Sequence, residues 1–311
     1  APVWHRTGCG RGAGGGPSPL CHLADTFSHK LASFLLVTSG FSLIGEYYVE
    51  DRWDILQTRS NIPSTMGLWV IPQSNVGEAK SQGVDLSLAW DKSFSKHTWL
   101  QLMGNYTYAR GEYSVYDELY YETEWWKSRV GYPVNQQWGY IAERLFIDDN
   151  EVANSPTQFG TYLAGDIKYR DVNGDGQITS LDQVPIGYPT TPEIIYGFGA
   201  SFGHKNFDVS VFFQGLANET FWISYSEMSP FFRNDTNNGM IGINQLTRFI
   251  AESYWNEDSR DIYALWPRLS TSSVNNNAQR STWFMRDGSF LRLKSVEAGY
   301  TFPQNWTSKF G

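Results

Sequence analysis

Period-two alternation dominates the chain from Phe41 onward. Phe41, Leu43, Tyr47 and Val49 fall on one face, with Ser42, Glu46 and Glu50 on the other. The same pattern runs through Val84, Leu86, Leu88 and Trp90, and through Leu100, Leu102, Tyr106 and Tyr108. It returns in Ile194 to Phe202, Phe207 to Phe213 and Val296 to Phe302. Successive strand side chains point to opposite faces, so each segment predicts a strand with one apolar and one polar side. These segments run to roughly 9–12 residues, longer than the common soluble strand of about 5–6. A tilted strand crossing a bilayer needs roughly 9–11.

Connections fall into two sizes. Short ones are Lys92 to His97 and Gly203 to Asn206; long ones are Ser60 to Gln82, Tyr113 to Gln136 and Ala217 to Thr282. Short turns at one end and long loops at the other fit an antiparallel transmembrane β-barrel. Compact soluble domains seldom need loops beyond about 15 residues. A soluble β-sandwich alternates too, with its apolar face turned to a core, and the pattern alone leaves both open. Aromatics at strand ends (Tyr106 and Tyr108, Tyr300 and Phe302) suit an interfacial girdle, and would also suit a core.

Composition narrows the classes. The 311 residues carry a formal net charge of -8, with 24 Lys+Arg against 32 Asp+Glu. An acidic chain is a poor nucleic-acid binder, because phosphate affinity comes mostly from basic residues. No apolar run approaches the roughly 20 residues of a spanning helix. Residues 1–40 read differently: Gly8 to Gly16 is glycine-rich, and both cysteines, Cys9 and Cys21, lie here. Their spacing lacks the paired pattern of a zinc module. Residues 1–40 are expected to be an unstructured or artefactual leader, and residues 41–311 a partial barrel domain of about eight strands.

One motif carries sharp chemistry. Asp171-Val172-Asn173-Gly174-Asp175-Gly176-Gln177-Ile178-Thr179-Ser180-Leu181-Asp182 has the pattern of a twelve-residue calcium loop. Asp171, Asn173 and Asp175 supply oxygens at the first, third and fifth positions. Gly176 permits the sharp turn, Gln177 offers its carbonyl, Thr179 contributes through a water, and Asp182 closes the loop. Ca²⁺ takes 6–8 oxygens, and consecutive residues wrap it only where the backbone turns tightly. The flanks are not helices: Ile167 to Tyr169 reads as a strand, and Pro185 and Pro189 follow. The motif therefore predicts a structural Ca²⁺ clip, inserted at 165–189, rather than a switching sensor.

The setting of that loop carries a family resemblance. Gly165-Asp166-Ile167-Lys168-Tyr169-Arg170 leads into it, and Ile186-Gly187-Tyr188-Pro189 follows. Then come Tyr196-Gly197-Phe198 and Phe207-Asp208-Val209-Ser210-Val211-Phe212-Phe213-Gln214-Gly215. Asn75-Val76-Gly77-Glu78, Gln82-Gly83-Val84-Asp85 and Arg286-Asp287-Gly288-Ser289-Phe290-Leu291-Arg292-Leu293-Lys294 agree. Together these resemble the late barrel region of SusC/RagA-like TonB-dependent transporters of the Bacteroidetes outer membrane. The resemblance covers roughly residues 41–311. It implies part of a plugged, 22-stranded barrel in outer-membrane lipid. It also implies import of oligosaccharides or peptides, energised through the TonB complex, with a SusD-like surface lipoprotein as lid. No segment here matches the family's plug, so the chain is expected to be a piece of a transporter.

The 113–136 loop is aromatic and acidic, and Tyr120, Tyr121, Trp125 and Trp126 are candidate ligand contacts; Trp222 in the next long loop is a fifth. Stacked rings beside carboxylates can grip sugars, and they also serve as packing. No HExxH or GxSxG sequence is present, and Gly10 to Gly16 lacks a P-loop ending, so no enzyme is expected. The alternative from a different class is a secreted calcium-binding β-module for adhesion or glycan binding.

Overall fold

The computed structural model describes residues 3–6, 25–231, 233–235 and 241–302. Cys9 and Cys21 lie outside these residues. Eight strands form one antiparallel sheet: β1 (Val3–Arg6), β2 (Asp25–Thr38), β3 (Phe41–Thr58), β4 (Gln73–Ser95), β5 (Thr98–Val115), β6 (Ile194–His204), β7 (Phe207–Ala217) and β8 (Phe290–Tyr300). Their order in the sheet is their order in the chain. The sheet is therefore an up-and-down meander, the connectivity of a barrel wall.

The strand count differs from expectation. Six of the eight strands lie from Phe41 onward, and β1 and β2 lie within the expected leader. β2 pairs with β3 from Asp25↔Trp53 to Thr38↔Phe41, so residue 40 falls in a hairpin turn rather than at a boundary. The apolar run Phe34 to Val37 has no clean alternation, which hid the strand from periodicity.

Three tight connections, at Ser39-Gly40, Lys96-His97 and Lys205-Asn206, lie at one end of the sheet. Gly40 has φ +80°, and a Cβ there would collide with the Asp91 carbonyl, so only glycine fits this turn. At the other end the chain makes long excursions over 59–72, 116–193 and 218–289.

Strand registers fix the two faces. In β6, Tyr196, Phe198, Ala200 and Phe202 stand opposite Tyr106, Gly104, Leu102 and Leu100 of β5. Opposite them on β7 are Gly215, Phe213, Val211 and Val209. Those β5 residues pair with Leu86, Leu88, Trp90 and Lys92, and the first three of these with Gly45, Leu43 and Phe41. Val211 and Val209 continue into Val296 and Ala298 of β8. Cross-strand partners share a face, so one face of the sheet is almost wholly apolar. Glu46 and Asp85, Asn105 and Gly197, and Ser210 and Glu297 face the other way. β7 and β8 slip register once, between Phe212 and Phe213, where Lys294 is the extra residue of a bulge.

Among the described residues nothing covers the apolar face. Phe198 is 46% exposed, Leu293 53% and Val296 57%. The buried core lies elsewhere, in the long excursions. Tyr140, Leu145, Ile167, Tyr169 and Ile178 from the excursion over 116–193 pack with Tyr225, Ile250, Trp255, Trp266 and Phe284 from that over 218–289. No helix of the described residues is long and apolar enough to cross a membrane.

Candidate functional site

The loop module is held by a buried polar network. Asn276 accepts from Gln158 Nε2 (3.0 Å) and donates to the Ile167 carbonyl (2.7 Å). Tyr169 donates its hydroxyl to the Asn276 carbonyl (2.7 Å), and burial pushes this phenol's pKa up. Asn277 accepts from Ile167 N–H (3.0 Å) and donates to Asp166 Oδ1 (2.8 Å). Asp166 is fully buried, accepts from Leu163 N–H (2.8 Å), and lies 2.9 Å from Arg268 Nε. Desolvation raises the Asp166 carboxyl, with Arg268 and the donors pulling it back. Buried polar groups must be paired, and here each Asn uses both ends of its amide. No local sequence signal marks Asn276 and Asn277, because their partners lie more than 100 residues away.

The calcium-type loop is built onto this core. Ile178, the loop's apolar anchor, is buried in it and donates to the Thr157 carbonyl (2.7 Å), while Thr157 donates to the Gly176 carbonyl (3.0 Å). Gly174 and Gly176 have φ +75° and +80°, which L side chains rarely adopt. Asp171 accepts from Gly174 N–H (2.7 Å) and Gly176 N–H (2.8 Å). Asn173 Oδ1 accepts from Asp175 N–H (3.1 Å), and Asp175 Oδ1 from Gln177 N–H (2.8 Å). Asp182 is fully buried; it accepts from Val172 N–H (2.8 Å) and Thr179 N–H (2.7 Å) and completes a capping box over Ser180–Asp182. Thr179 in turn accepts from Leu181 N–H (3.2 Å).

Among the described residues no three His, Cys, Asp or Glu side chains converge as a metal cluster. The donor set still fits Ca²⁺: it is all oxygen, and carboxylate and carbonyl oxygens that accept one N–H keep further lone pairs. Asp171, Asn173, Asp175, Gln177 (through its carbonyl), Thr179 and Asp182 would hold the ion.

The five candidate ligand contacts do not share one role. Trp126 donates its indole N–H to the Leu181 carbonyl (3.0 Å), and Lys127 donates to the Ser180 carbonyl. The aromatic arm is thus tied to the exit turn of the calcium-type loop. Tyr121 lies under the Lys127 ammonium (5.9 Å), and Trp125 meets Trp126 edge-on (6.0 Å). Tyr120 is 90% exposed. Trp222 stands apart from these, donating to Gln137 Oε1 (3.3 Å) under the Arg280 guanidinium (5.2 Å).

No family model matches the chain. Over 145 residues, 45% of the chain, it is 32% identical to the TonB-dependent receptor P26 of Formosa agariphila. Over 189 residues, 59% of the chain, it is 25% identical to the TonB-dependent receptor P3 of the same organism. The chain is related in sequence to TonB-dependent receptors. The matched stretches make up 13% and 16% of those receptors' lengths. Among solved structures, the RagAB peptide transporter superposes on 91% of the chain with a TM-score of 0.57 and 19% identity. The RagAB peptide importer in its open-open state gives 0.59 and 20%. The chain covers 29% and 28% of those two structures. The fold thus matches part of the β-barrel of these solved structures, in line with the SusC/RagA-like motifs. The relatives are named as receptors, not enzymes.

Proposed function

We propose that this chain is an arc of the outer-membrane barrel of a TonB-dependent transporter that imports oligosaccharides or peptides. The observation that carries this reading is the uncovered apolar face. A soluble module would turn Phe198, Leu293 and Val296 into its own core, whereas a membrane barrel turns them to lipid. The dimensions support it: Leu100 to Tyr108 on this face spans about 27 Å of strand at ~3.4 Å per residue. Aromatics border the band, with Phe41, Trp90, Phe202 and Tyr300 at the turn end and Tyr47, Tyr106, Tyr108 and Tyr196 at the loop end. The tight turns then face the periplasm and the loop module faces outside.

Unpaired strand edges cost several kcal/mol per backbone group in lipid, so further strands must close the sheet. The lid is a SusD-like lipoprotein seated on the loop end, and TonB acts through a plug domain. The 171–182 loop holds a structural Ca²⁺ that stiffens the module. Transport is tested with the full-length receptor in its own cells, supplied with mixed oligosaccharide and peptide pools. TonB-dependent depletion of one pool is expected; equal depletion with and without the receptor would refute the reading.

A further inference from the structure

A cavity of about 650 Å³ opens beside the loop core, away from the calcium-type loop. Ile147, Leu163, Leu269, Tyr254 and Trp255 give it walls, and Arg260 and Arg268 give it donors. Its polar groups do not balance. Arg268 spends its Nε on Asp166, at 2.9 Å and off the ideal hydrogen-bond axis, and Arg260 spends its Nε on the Glu257 carbonyl (3.3 Å). Among the described residues the terminal nitrogens of both guanidiniums make no hydrogen bond. The acidic groups at the cavity are partly committed. Asp148 Oδ1 accepts from Glu151 N–H (2.8 Å) and Asp149 Oδ1 from Ala164 N–H (3.3 Å); Glu257 stands exposed at the rim. Arg260 also sits at φ +45°, a conformation that costs a non-glycine residue energy.

Two guanidinium forks match planar oxygen pairs. We propose that this cavity binds a carboxylate-bearing ligand, taken by the terminal nitrogens of Arg260 and Arg268. Two sources supply that chemistry, an acidic sugar or the end of a peptide. The site does not depend on the transport reading, since a receptor module can hold such a ligand whatever the barrel carries.

The test uses the purified full-length receptor and calorimetric titration. The probes are glucuronate and N-acetylglycylglycine, with glucose and N-acetylglycylglycinamide as neutral counterparts. Binding of either carboxylate, at least tenfold tighter than its neutral counterpart, is expected, and the preferred one identifies the source. Arg260→Ala should weaken it roughly 10–100-fold, the loss of a charged hydrogen-bonded pair. Equal binding of the neutral probes, an unaffected Arg260→Ala variant, or no binding of either carboxylate at about 10 mM would overturn the proposal.

Discussion

Arg268→Met breaks one side of the buried pair that anchors the loop module, and its cost can be worked from the geometry. Asp166 is fully buried, and without Arg268 it keeps only two neutral donors, Leu163 N–H and Asn277 Nδ2. Breaking a buried pair by removing one partner costs about 3–5 kcal/mol. Arg268 is 23% exposed, so water screens part of the attraction and the low end, about 3 kcal/mol, applies. Asp166 carries Asn277, which carries Ile167, so the loss should appear as local opening at the Ile167 amide. Hydrogen exchange there should quicken by about 100-fold. The pH dependence has a definite sign. The Asp166 carboxyl is already raised by desolvation, and losing Arg268 raises it further. The folded module then binds more protons than the unfolded one above the ordinary carboxyl pKa, so the deficit shrinks as pH falls through the raised value. Asp166→Asn combined with Arg268→Met should recover most of the loss, because no uncompensated charge remains. Unchanged exchange at Ile167 in Arg268→Met would refute this account of the network.

Other predictions follow from single contacts. Burial opposes ionisation of Glu151, but Ile147 N–H, Lys168 and Arg144 outweigh it and bring its carboxyl from 4.5 to about 2. Glu151→Gln should destabilise the module at neutral pH by ~1–2 kcal/mol after solvent screening; urea melts should show the gap closing as pH falls from 4.5 towards 2. Asp175→Asn should weaken Tb³⁺ or Ca²⁺ binding at the 171–182 loop at least tenfold, read by sensitised luminescence, and a chelator should speed proteolysis of the loop in the unmutated receptor alone. Gly199→Val should hinder barrel assembly, seen as loss of heat-resistant migration on gels, since a Cβ there meets the Phe212 ring at 2.7 Å and the Val211 carbonyl at 2.8 Å.

Much of the barrel wall was legible because its signal is local. Alternation alone placed Val84 to Trp90, Leu100 to Tyr108 and Ile194 to Phe202 on strands and sorted their faces correctly. Strand ends were less so: β4 runs 23 residues, well past the stretch that alternates cleanly, because its pairing with β3 continues to Gln73 and that with β5 to Ser95. β2 was missed for the converse reason, its Phe34 to Val37 run being apolar on both faces. The glycine positions of the calcium-type loop were legible because the φ demand is intrinsic to the loop. The core of Tyr169, Trp255, Trp266 and Phe284 was not, since it assembles from two excursions far apart in sequence. Trp126 shows the limit of composition: an aromatic in an acidic loop reads as a ligand contact, and nothing local tells that its indole N–H holds the Leu181 carbonyl.

The central claim is that one face of the sheet meets lipid and the other a polar interior. The most direct test places single spin-labelled cysteines along β7 of the full-length receptor in bilayers: Val209→Cys, Ser210→Cys, Val211→Cys, and Gln214→Cys. Collisions with oxygen, which concentrates in lipid, are compared with those of a water-soluble nickel chelate. The account predicts strict alternation, with 209 and 211 favouring oxygen and 210 and 214 favouring nickel. Equal accessibility at all four positions, or oxygen preference at 210 and 214, would contradict it.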